Sequence, residues 1–242
     1  MTADVITELK EPGKLHVGVN MGNFLLVTGE SPNGDPDGVS PDMAKGLAEK
    51  LGVEAVLHPY PMPGDVADAA ERNEWDIALI AIEPKRAEVI AFCDAYVEIV
   101  ATYLVPAGSP LKTIEDVDKP GVRIAVSERA AYDLYLTRTL KHAELHRAQG
   151  LPGAVKLFVD EGLDALAGLV PGLIKNVEEI PGSSLIEGRF TTVKQAIGTR
   201  HGCPALHAFV EEYIADMKQS GRVQELIDKH GVTGKLEVAM GD

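Results

Sequence analysis

The amino-acid sequence predicts an α/β protein with two lobes. Short apolar segments alternate with segments whose apolar residues recur every four positions, a pattern typical of parallel strands covered by helices. This alternation occurs twice over stretches of similar length, with no long helix between them. The chain has 242 residues, 45% of them hydrophobic, which is enough to bury a large core.

The first alternation lies in the N-terminal third of the chain. Its best-defined helix is predicted to begin at Ser40, which can cap it, with Pro41 in the first turn, and to end at Gly52. The strand that ends this alternation is uninterruptedly apolar, as expected where both faces of a sheet are covered. The predicted strands are 15–19, 53–57 and 76–82, and the predicted helices are 40–52 and 65–73.

The second alternation follows a proline-rich stretch at 103–119, where we expect the chain to cross between lobes. Its predicted strands are 122–126, 145–148 and 163–168, and its predicted helices are 130–142 and 153–161.

A further strand at 189–198 is predicted to carry the chain back, and helices at 204–220 and 223–230 to pack on the first lobe. Lobe 1 is thus expected to comprise 1–105 and 193–242, and lobe 2 to comprise 106–192. Two crossings make a natural hinge, and hinged lobes close on ligands.

Charge and composition argue against several functions. The formal net charge of −14 repels phosphate backbones and anionic lipids, so neither nucleic acid nor a membrane surface is an expected partner. No apolar run approaches the length of a membrane span, and residues 1–14 do not read as a secretory leader. Two cysteines, Cys93 and Cys203, are too few for a disulfide framework, and whether they pair stays open.

The sequence contains no motif that predicts a metal, a cofactor or a catalytic residue. His142 and His146 have helical spacing but no third ligand, and His201, Cys203 and His207 form only a loose cluster. There is no phosphate-binding loop and no Gly-x-Ser-x-Gly elbow. We therefore expect no metal, no cofactor and no enzymatic chemistry.

Several stretches resemble the amino-acid type (family 3) periplasmic solute-binding proteins of ABC transporters. The most specific is 75–96, WDIALIAIEPKRAEVIAFCDAY, and the helix at 38–53, GVSPDMAKGLAEKLGV, supports it. The similarity runs over 14–232. The segments VNMGN at 19–23, AYDLYL at 131–136 and GRFTTVKQAIGT at 188–199 are similar to a sub-group of unknown ligand whose members often start without an obvious leader.

This resemblance implies the type II periplasmic-binding-protein fold, with two crossings between lobes. It also implies a monomeric receptor that closes on a small carboxylate-bearing molecule, an organic acid or a modified amino acid, and delivers it to an ABC permease. The resemblance places such a receptor in the periplasm, whereas the missing leader leaves the cytoplasm open.

The candidate site residues of lobe 1 follow its strands. Open α/β sheets bind ligands at the carboxyl ends of their strands, which selects Asn20 and Asn23, either as ligand contacts or as residues bonding their own turn. The Phe24 ring could form an apolar wall of the site or pack in the core. Gln195, near the return crossing, is a further candidate.

The resemblance implies that Arg86 holds a ligand carboxylate with both arms of its guanidinium group. The alternative is a surface arginine paired with Glu83 or Glu88. At Ala81 and Ile82 the family often has a small polar residue, so here only the backbone could serve.

In lobe 2, members of the family bind a ligand carboxylate at the N-terminus of the first helix. The corresponding residues are Ser127, Arg129, Ala130 and Ala131, which keep the helix N-terminus but lack the family's threonine hydroxyls. Leu169 stands where amino-acid binders carry an aspartate for the ligand's α-ammonium group. Because leucine cannot pair with a buried ammonium, we expect a ligand other than an ordinary α-amino acid, unless Glu83 supplies the charge.

Two other functions stay open. One is a lyase on the same scaffold, because cyclohexadienyl dehydratases resemble this family. Such a reaction needs a buried acid, and Glu83 and Glu128 are the nearby carboxylates. The other is a cytoplasmic ligand sensor or scavenger.

Overall fold

The computed structural model describes residues 2–240. The chain divides into two compact units: unit 1 runs to Glu98 and resumes at Lys194, and unit 2 is Ile99–Val193. The chain therefore passes between the units twice. The sequence predicts lobe bounds after residue 105 and at residue 193, and these bounds remain a prediction.

The elements follow one another along the chain in three groups. The first group, in unit 1, is α1 (Thr2–Glu8), β1 (Lys14–Asn20), β2 (Gly29–Glu30), β3 (Pro36–Asp37), α2 (Val39–Leu51), β4 (Glu54–Tyr60), α3 (Pro63–Glu71), β5 (Ile77–Ala81) and a short 3-10 turn (Arg86–Glu88). The second group begins with a long strand that enters unit 2, and consists of β6 (Ile90–Val105), α4 (Ile114–Val117), β7 (Arg123–Ser127), α5 (Ala131–Thr139), β8 (Glu144–Ala148), α6 (Gly150–Asp160), β9 (Ala165–Leu169), α7 (Val170–Glu179) and β10 (Ser184–Leu185). The third group returns to unit 1 and is β11 (Thr191–Arg200), α8 (Pro204–Gln219), α9 (Arg222–Lys229) and β12 (Glu237–Val238).

The sheet of unit 1 has the strand order β4–β1–β5–β11. The first three strands are parallel, and β11 runs antiparallel to β5. Every residue of β5 is buried, as its unbroken apolar sequence predicts. Parallel strands bring their carboxyl ends to one edge, so Asn20 and Ala81 both end strands at the same side of this sheet.

The largest fully buried side chain among the described residues of unit 1 is that of Trp75. Its side chain is fully buried, and its indole N–H donates to the carbonyl oxygen of Val66 at 3.1 Å. The ring also lies against Gly18, where an added Cβ would come within 2.8 Å of the indole. Glycine at this position of β1 therefore leaves the space that the tryptophan fills.

The ends of α2 show one prediction confirmed and one wrong. The helix ends at Gly52, whose left-handed backbone (φ 76°) lets its N–H close the last turn. Ser40 is not the cap: the N-cap is Gly38, at φ 149°. The Ser40 hydroxyl instead hydrogen-bonds the Tyr96 hydroxyl at 2.8 Å. A side chain at Gly38 would meet the backbone of Leu26, since a Cβ there lies 2.3 Å from that carbonyl oxygen.

The helices that follow β11 pack on the N-terminal part of unit 1. The Glu8 carboxylate accepts the backbone N–H groups of Ala205 and Leu206, at 3.1 and 2.7 Å, and so caps the start of α8. Further along α8, the Tyr213 hydroxyl donates to the carbonyl oxygen of Met43 in α2 at 2.9 Å.

A buried carboxylate, Asp76, joins three segments of unit 1. One oxygen accepts the backbone N–H of Lys10 at 2.9 Å and a guanidinium N–H of Arg200 at 3.1 Å. The other accepts the backbone N–H of His16 at 2.9 Å. Asp76 is fully buried, and the Arg200 side chain is 19% exposed. The pair therefore connects β11 to the start of β1.

The sheet of unit 2 has the order β6–β9–β7–β8, and β10 pairs with β6. Strands β7, β8 and β9 are parallel, whereas β6 is antiparallel to β9. One buried cluster that packs on this sheet is mostly aliphatic, and its largest members are Leu104, Phe158, Leu163, Leu166 and Leu173.

Four features differ from the sequence-based expectation or complete it. Residues 103–105 belong to β6 rather than to a proline-rich crossing, and α7 was not predicted. Cys93 and Cys203 are both buried free thiols, so they do not pair. Among the described residues, no helix combines the length and apolarity that a membrane crossing requires.

Candidate functional site

In unit 1, a compact turn follows β1. The Asn20 side-chain oxygen accepts the N–H of Gly22 at 3.1 Å, and that of Asn23 accepts the N–H of Leu25 at 3.2 Å. The Asn23 carbonyl oxygen also accepts from Leu26 and Val27. Both asparagine oxygens thus hold the turn, as in the second of the two roles considered for them. Their amide NH₂ groups make no hydrogen bond to the described residues, which keeps both available as ligand donors.

Phe24 lies on this turn with 45% of its surface exposed. The ring therefore does not pack in the core, and it lies beside Asn23, just after the carboxyl end of β1.

Arg86 is buried in unit 1 and only 4% exposed. One arm of its guanidinium group donates to the carbonyl oxygen of Ala81 at 3.0 Å, which fixes the group at the end of β5. This bond orients the guanidinium group at the carboxyl end of β5. The burial contradicts the alternative of a surface arginine.

Glu83 forms the turn that carries Arg86. It is 2% exposed, and one carboxylate oxygen accepts the backbone N–H groups of Lys85 and Arg86 at 2.8 and 3.2 Å. A carboxylate that accepts backbone N–H groups at the start of a turn acts as a cap, so Glu83 has a structural role in placing the guanidinium group.

The remaining unit 1 candidates lie where β5 pairs with β11. The Ile82 N–H donates to the carbonyl oxygen of Lys194 at 2.9 Å, so the sheet uses the donor considered for a ligand there. Gln195 is the register partner of Ala81 and is 3% exposed. Its side chain is therefore a buried polar group next to Ala81.

In unit 2, the loop after β7 leads into α5. Ser127 is buried, and its carbonyl oxygen accepts the Ala130 N–H at 3.2 Å. Arg129 has a left-handed backbone (φ 58°), rare for a residue with a side chain. The N-cap, Ala130, offers no side chain to the first turn, so the N–H groups from Ala131 onward keep the unsatisfied donors of a helix start.

Sequence reasoning missed Asp133, which holds this loop. Its carboxylate is 2% exposed and accepts the Arg129 N–H at 2.8 Å and the Arg147 Nε–H at 3.0 Å. An acidic residue in the first turn of a predicted helix is the signal that could have identified it.

We expect Asp133→Ala to release the loop, because Arg129 loses the bond that holds its strained backbone and Arg147 loses its partner. The expected cost is about 2–4 kcal/mol, combining a lost buried ion pair with the strain that it offsets. Hydrogen exchange of the amides at 127–131 measures it. Arg138→Ala, an exposed change on the same helix, is the control; equal protection in both variants would contradict the role of Asp133.

Leu169 ends β9 and forms the N-cap of α7. It is partly buried and brings no charge to that strand end. The structure thus places the candidates as two separate sets, one in each unit: Asn20, Asn23, Phe24, Ala81, Ile82, Glu83, Arg86 and Gln195 in unit 1, and Ser127, Arg129, Ala130, Ala131 and Leu169 in unit 2.

Comparison with known proteins identifies relatives along almost the whole chain. The L-cystine-binding protein TcyJ of Escherichia coli K12 is 24% identical over 229 residues, which cover 93% of this chain and 85% of that protein. Cyclohexadienyl dehydratase of Pseudomonas aeruginosa is 28% identical over 144 residues, covering 58% of this chain and 53% of the enzyme. The crystal structure of a mutant ArgBP from T. maritima matches with a TM-score of 0.75 at 23% identity, covering 94% of this chain and 99% of that one.

The model of the bacterial extracellular solute-binding proteins, family 3, matches residues 15–233. The predicted α/β fold of the type II periplasmic binding proteins is confirmed by these structures. The chain belongs to the bacterial extracellular solute-binding proteins, family 3.

Proposed function

We propose that this protein binds a small solute through its carboxylate group, with Arg86 as the anchor. The observation that carries the proposal is the buried guanidinium group oriented by the Ala81 carbonyl oxygen at the end of β5. Guanidinium matches a carboxylate in two parallel hydrogen bonds, and burial removes competing water. The exposed ring of Phe24 and the NH₂ group of Asn23 supply apolar and polar contacts at the same edge of unit 1.

The ligand we propose carries no free α-ammonium group: it is an organic acid or an N-substituted amino acid. Leu169 offers no charge for an ammonium group, and Glu83 is engaged by two backbone N–H groups. An ammonium buried without a counter-charge is strongly disfavoured. In unit 2, the helix start at Ala131 and the residues around Arg129 are the second set we propose for ligand contact.

The proposal includes a periplasmic setting and delivery of the solute to an ABC permease. Both follow from the family, whose relatives are mostly binding proteins. The match to cyclohexadienyl dehydratase favours the alternative function, a lyase. Glu83, however, is poorly suited to be the acid of such a reaction. A carboxylate that accepts two backbone N–H groups suits an ionised structural group better than a proton donor. We expect no turnover of a cyclohexadienyl carboxylic acid, measured by absorbance of an aromatic product.

The test is a thermal-shift and calorimetric screen with matched triplets: an amino acid, its N-acetyl derivative and its hydroxy-acid analogue. A ligand that binds only the folded chain raises the melting temperature by mass action. We expect the acids without a free amine to raise it most. Arg86→Lys keeps the charge but loses the two-armed geometry, and should weaken binding at least tenfold.

Arg72→Ala is the matched control, because Arg72 is an exposed arginine of the same unit, with its side chain 55% accessible. It should leave the affinity unchanged. Unaltered binding in both Arg86→Lys and Arg86→Ala would refute the anchor. Tighter binding of the free amino acids than of their amine-free analogues would refute the role assigned to Leu169.

A further inference from the structure

Three potential metal ligands of different chemistry meet in unit 1, away from the residues discussed above. Cys93 lies near the start of β6, and His207 and Glu211 are one turn apart on α8. One ligand atom of each lies within 4.8 Å of the others. The sequence suggested a different grouping, His201 with Cys203 and His207. In the structure His201 Nε2 instead lies 3.2 Å from the carbonyl oxygen of Ala87.

The spacing of the sulfur and the imidazole suits a tetrahedral ion. Cys93 Sγ is 3.4 Å from His207 Nδ1. Zinc–sulfur and zinc–nitrogen bonds of usual length, at a tetrahedral angle, separate these two atoms by about 3.6 Å. The Glu211 carboxylate lies 3.7 Å from His207 Nε2 and also close enough to the Cys93 thiol to interact with it. Small rotations of the partly exposed His207 and Glu211 side chains would therefore bring three ligands onto one ion.

A backbone N–H orients one of these ligands. Both oxygens of Glu211 lie near the backbone N–H of Asp94, at 3.1 and 3.2 Å, which ties the carboxylate to the residue after Cys93. Such a supporting bond holds a ligand in place for metal binding. The Thr199 hydroxyl lies 3.3 Å from His207 Nδ1, the nitrogen that faces the sulfur, so an ion bound there replaces this contact.

The cluster combines a buried thiol with ligands that solvent can reach. Cys93 is 3% exposed, whereas the side chains of His207 and Glu211 are 33% and 36% exposed. An ion can thus enter past the two polar groups and reach the sulfur. Burial, together with the nearby Glu211 charge, raises the pKa of the Cys93 thiol. Metal binding must therefore displace the thiol proton.

We propose that Cys93, His207 and Glu211 form a binding site for Zn²⁺ or a similar transition-metal ion, with the fourth position open to water. Thiolate, imidazole and carboxylate together select such ions over Mg²⁺ and Ca²⁺, which prefer oxygen ligands alone. The site joins β6 to α8 and does not depend on the solute-binding residues.

A second group, Asp37, Asp42 and His230, also has ligand-like spacing. There the Lys229 ammonium group already lies 2.6 Å from Asp42. A lysine cation at that carboxylate competes with a metal ion, so this group serves as the internal control.

The experiment uses the whole purified chain, stripped with a chelator, and Co²⁺ as a spectroscopic probe that Zn²⁺ then displaces. We expect one equivalent of Co²⁺ to produce a thiolate-to-metal charge-transfer band, and Zn²⁺ to abolish it. The band should be lost in Cys93→Ser and kept in Cys203→Ser, which removes the other thiol. His207→Gln and Glu211→Gln, at partly exposed positions, should each weaken Zn²⁺ affinity at least tenfold, whereas His230→Gln should not change it.

Zn²⁺ should also raise the melting temperature of the wild-type chain but not of Cys93→Ser. Absence of a charge-transfer band with wild-type protein would overturn the proposal, as would Zn²⁺ affinity unchanged by His207→Gln and Glu211→Gln. Circular dichroism of each variant establishes that it is folded before titration. If Cys93→Ser does not fold, protection of the wild-type thiol from alkylation by Zn²⁺ decides the same question.

Discussion

Asp76→Ala is expected to destabilise unit 1 by about 3–5 kcal/mol, because it leaves a largely buried guanidinium group without its carboxylate. The change also removes the acceptor of two backbone N–H groups, those of Lys10 and His16. Each unsatisfied buried donor adds its own desolvation cost. The contacts of Arg200 with Glu8 and Asn73 remain, but both are neutral acceptors and do not replace the lost charge.

Urea denaturation followed by tryptophan fluorescence measures this effect. Trp75 is the single tryptophan of the chain and directly precedes Asp76, so the signal reports unit 1. Asp216→Ala is the matched control: that carboxylate pairs with Lys50 but is 58% exposed, and exposed ion pairs contribute little. Equal denaturation midpoints for the two variants would show that the Asp76 network does not stabilise the fold.

Trp75→Ala is the second large effect that we expect, at about 3–5 kcal/mol. The substitution empties the space between Gly18 and α3, and the surrounding side chains, among them Ile80 and Ile90, belong to one fully buried cluster. It also leaves the Val66 carbonyl oxygen without the indole N–H. Because β5 is paired with β1 on one side and with β11 on the other, the backbone around the cavity cannot collapse fully.

Circular dichroism during thermal unfolding measures this change, since the variant has no tryptophan fluorescence. Phe24→Ala is the control, because it also removes an aromatic ring from unit 1 but at a side chain that is 45% exposed. The stability of that variant should stay near wild type while its solute affinity falls. A melting temperature of Trp75→Ala equal to that of Phe24→Ala would mean that the buried ring adds nothing.

The fold could be predicted wherever local sequence and long-range packing agree. The apolar run of β5 is buried on both faces, and Gly52 ends α2 because both requirements point the same way. Ser40 was misjudged because its hydroxyl has a partner 56 residues away, Tyr96. The helix α7 was not predicted, although Pro171 stands in its first turn, where proline is favoured.

The candidate site could likewise be predicted only where local sequence was sufficient. The resemblance led to Arg86, but its burial and its bond to Ala81 depend on how the turn folds back. The hydrogen bond from the Ile82 N–H to the Lys194 carbonyl oxygen depends on a strand more than a hundred residues later in the chain. Asp133 was missed because its role depends on Arg147, which β8 brings close. Local sequence thus predicts elements better than it predicts which donors remain available.

The discontinuity of unit 1 has a consequence for the order of events during synthesis. Unit 2 is a continuous segment and emerges from the ribosome complete. Unit 1 at that stage lacks β11, the strand that pairs with β5, and the helices that cover α1 and α2. The edge of β5 and the apolar faces of α2 are thus exposed until the last fifth of the chain is translated. Aggregation competes with folding during this interval. The interval ends when the segment from Lys194 to Ala239 has been synthesised and has packed on the rest of unit 1.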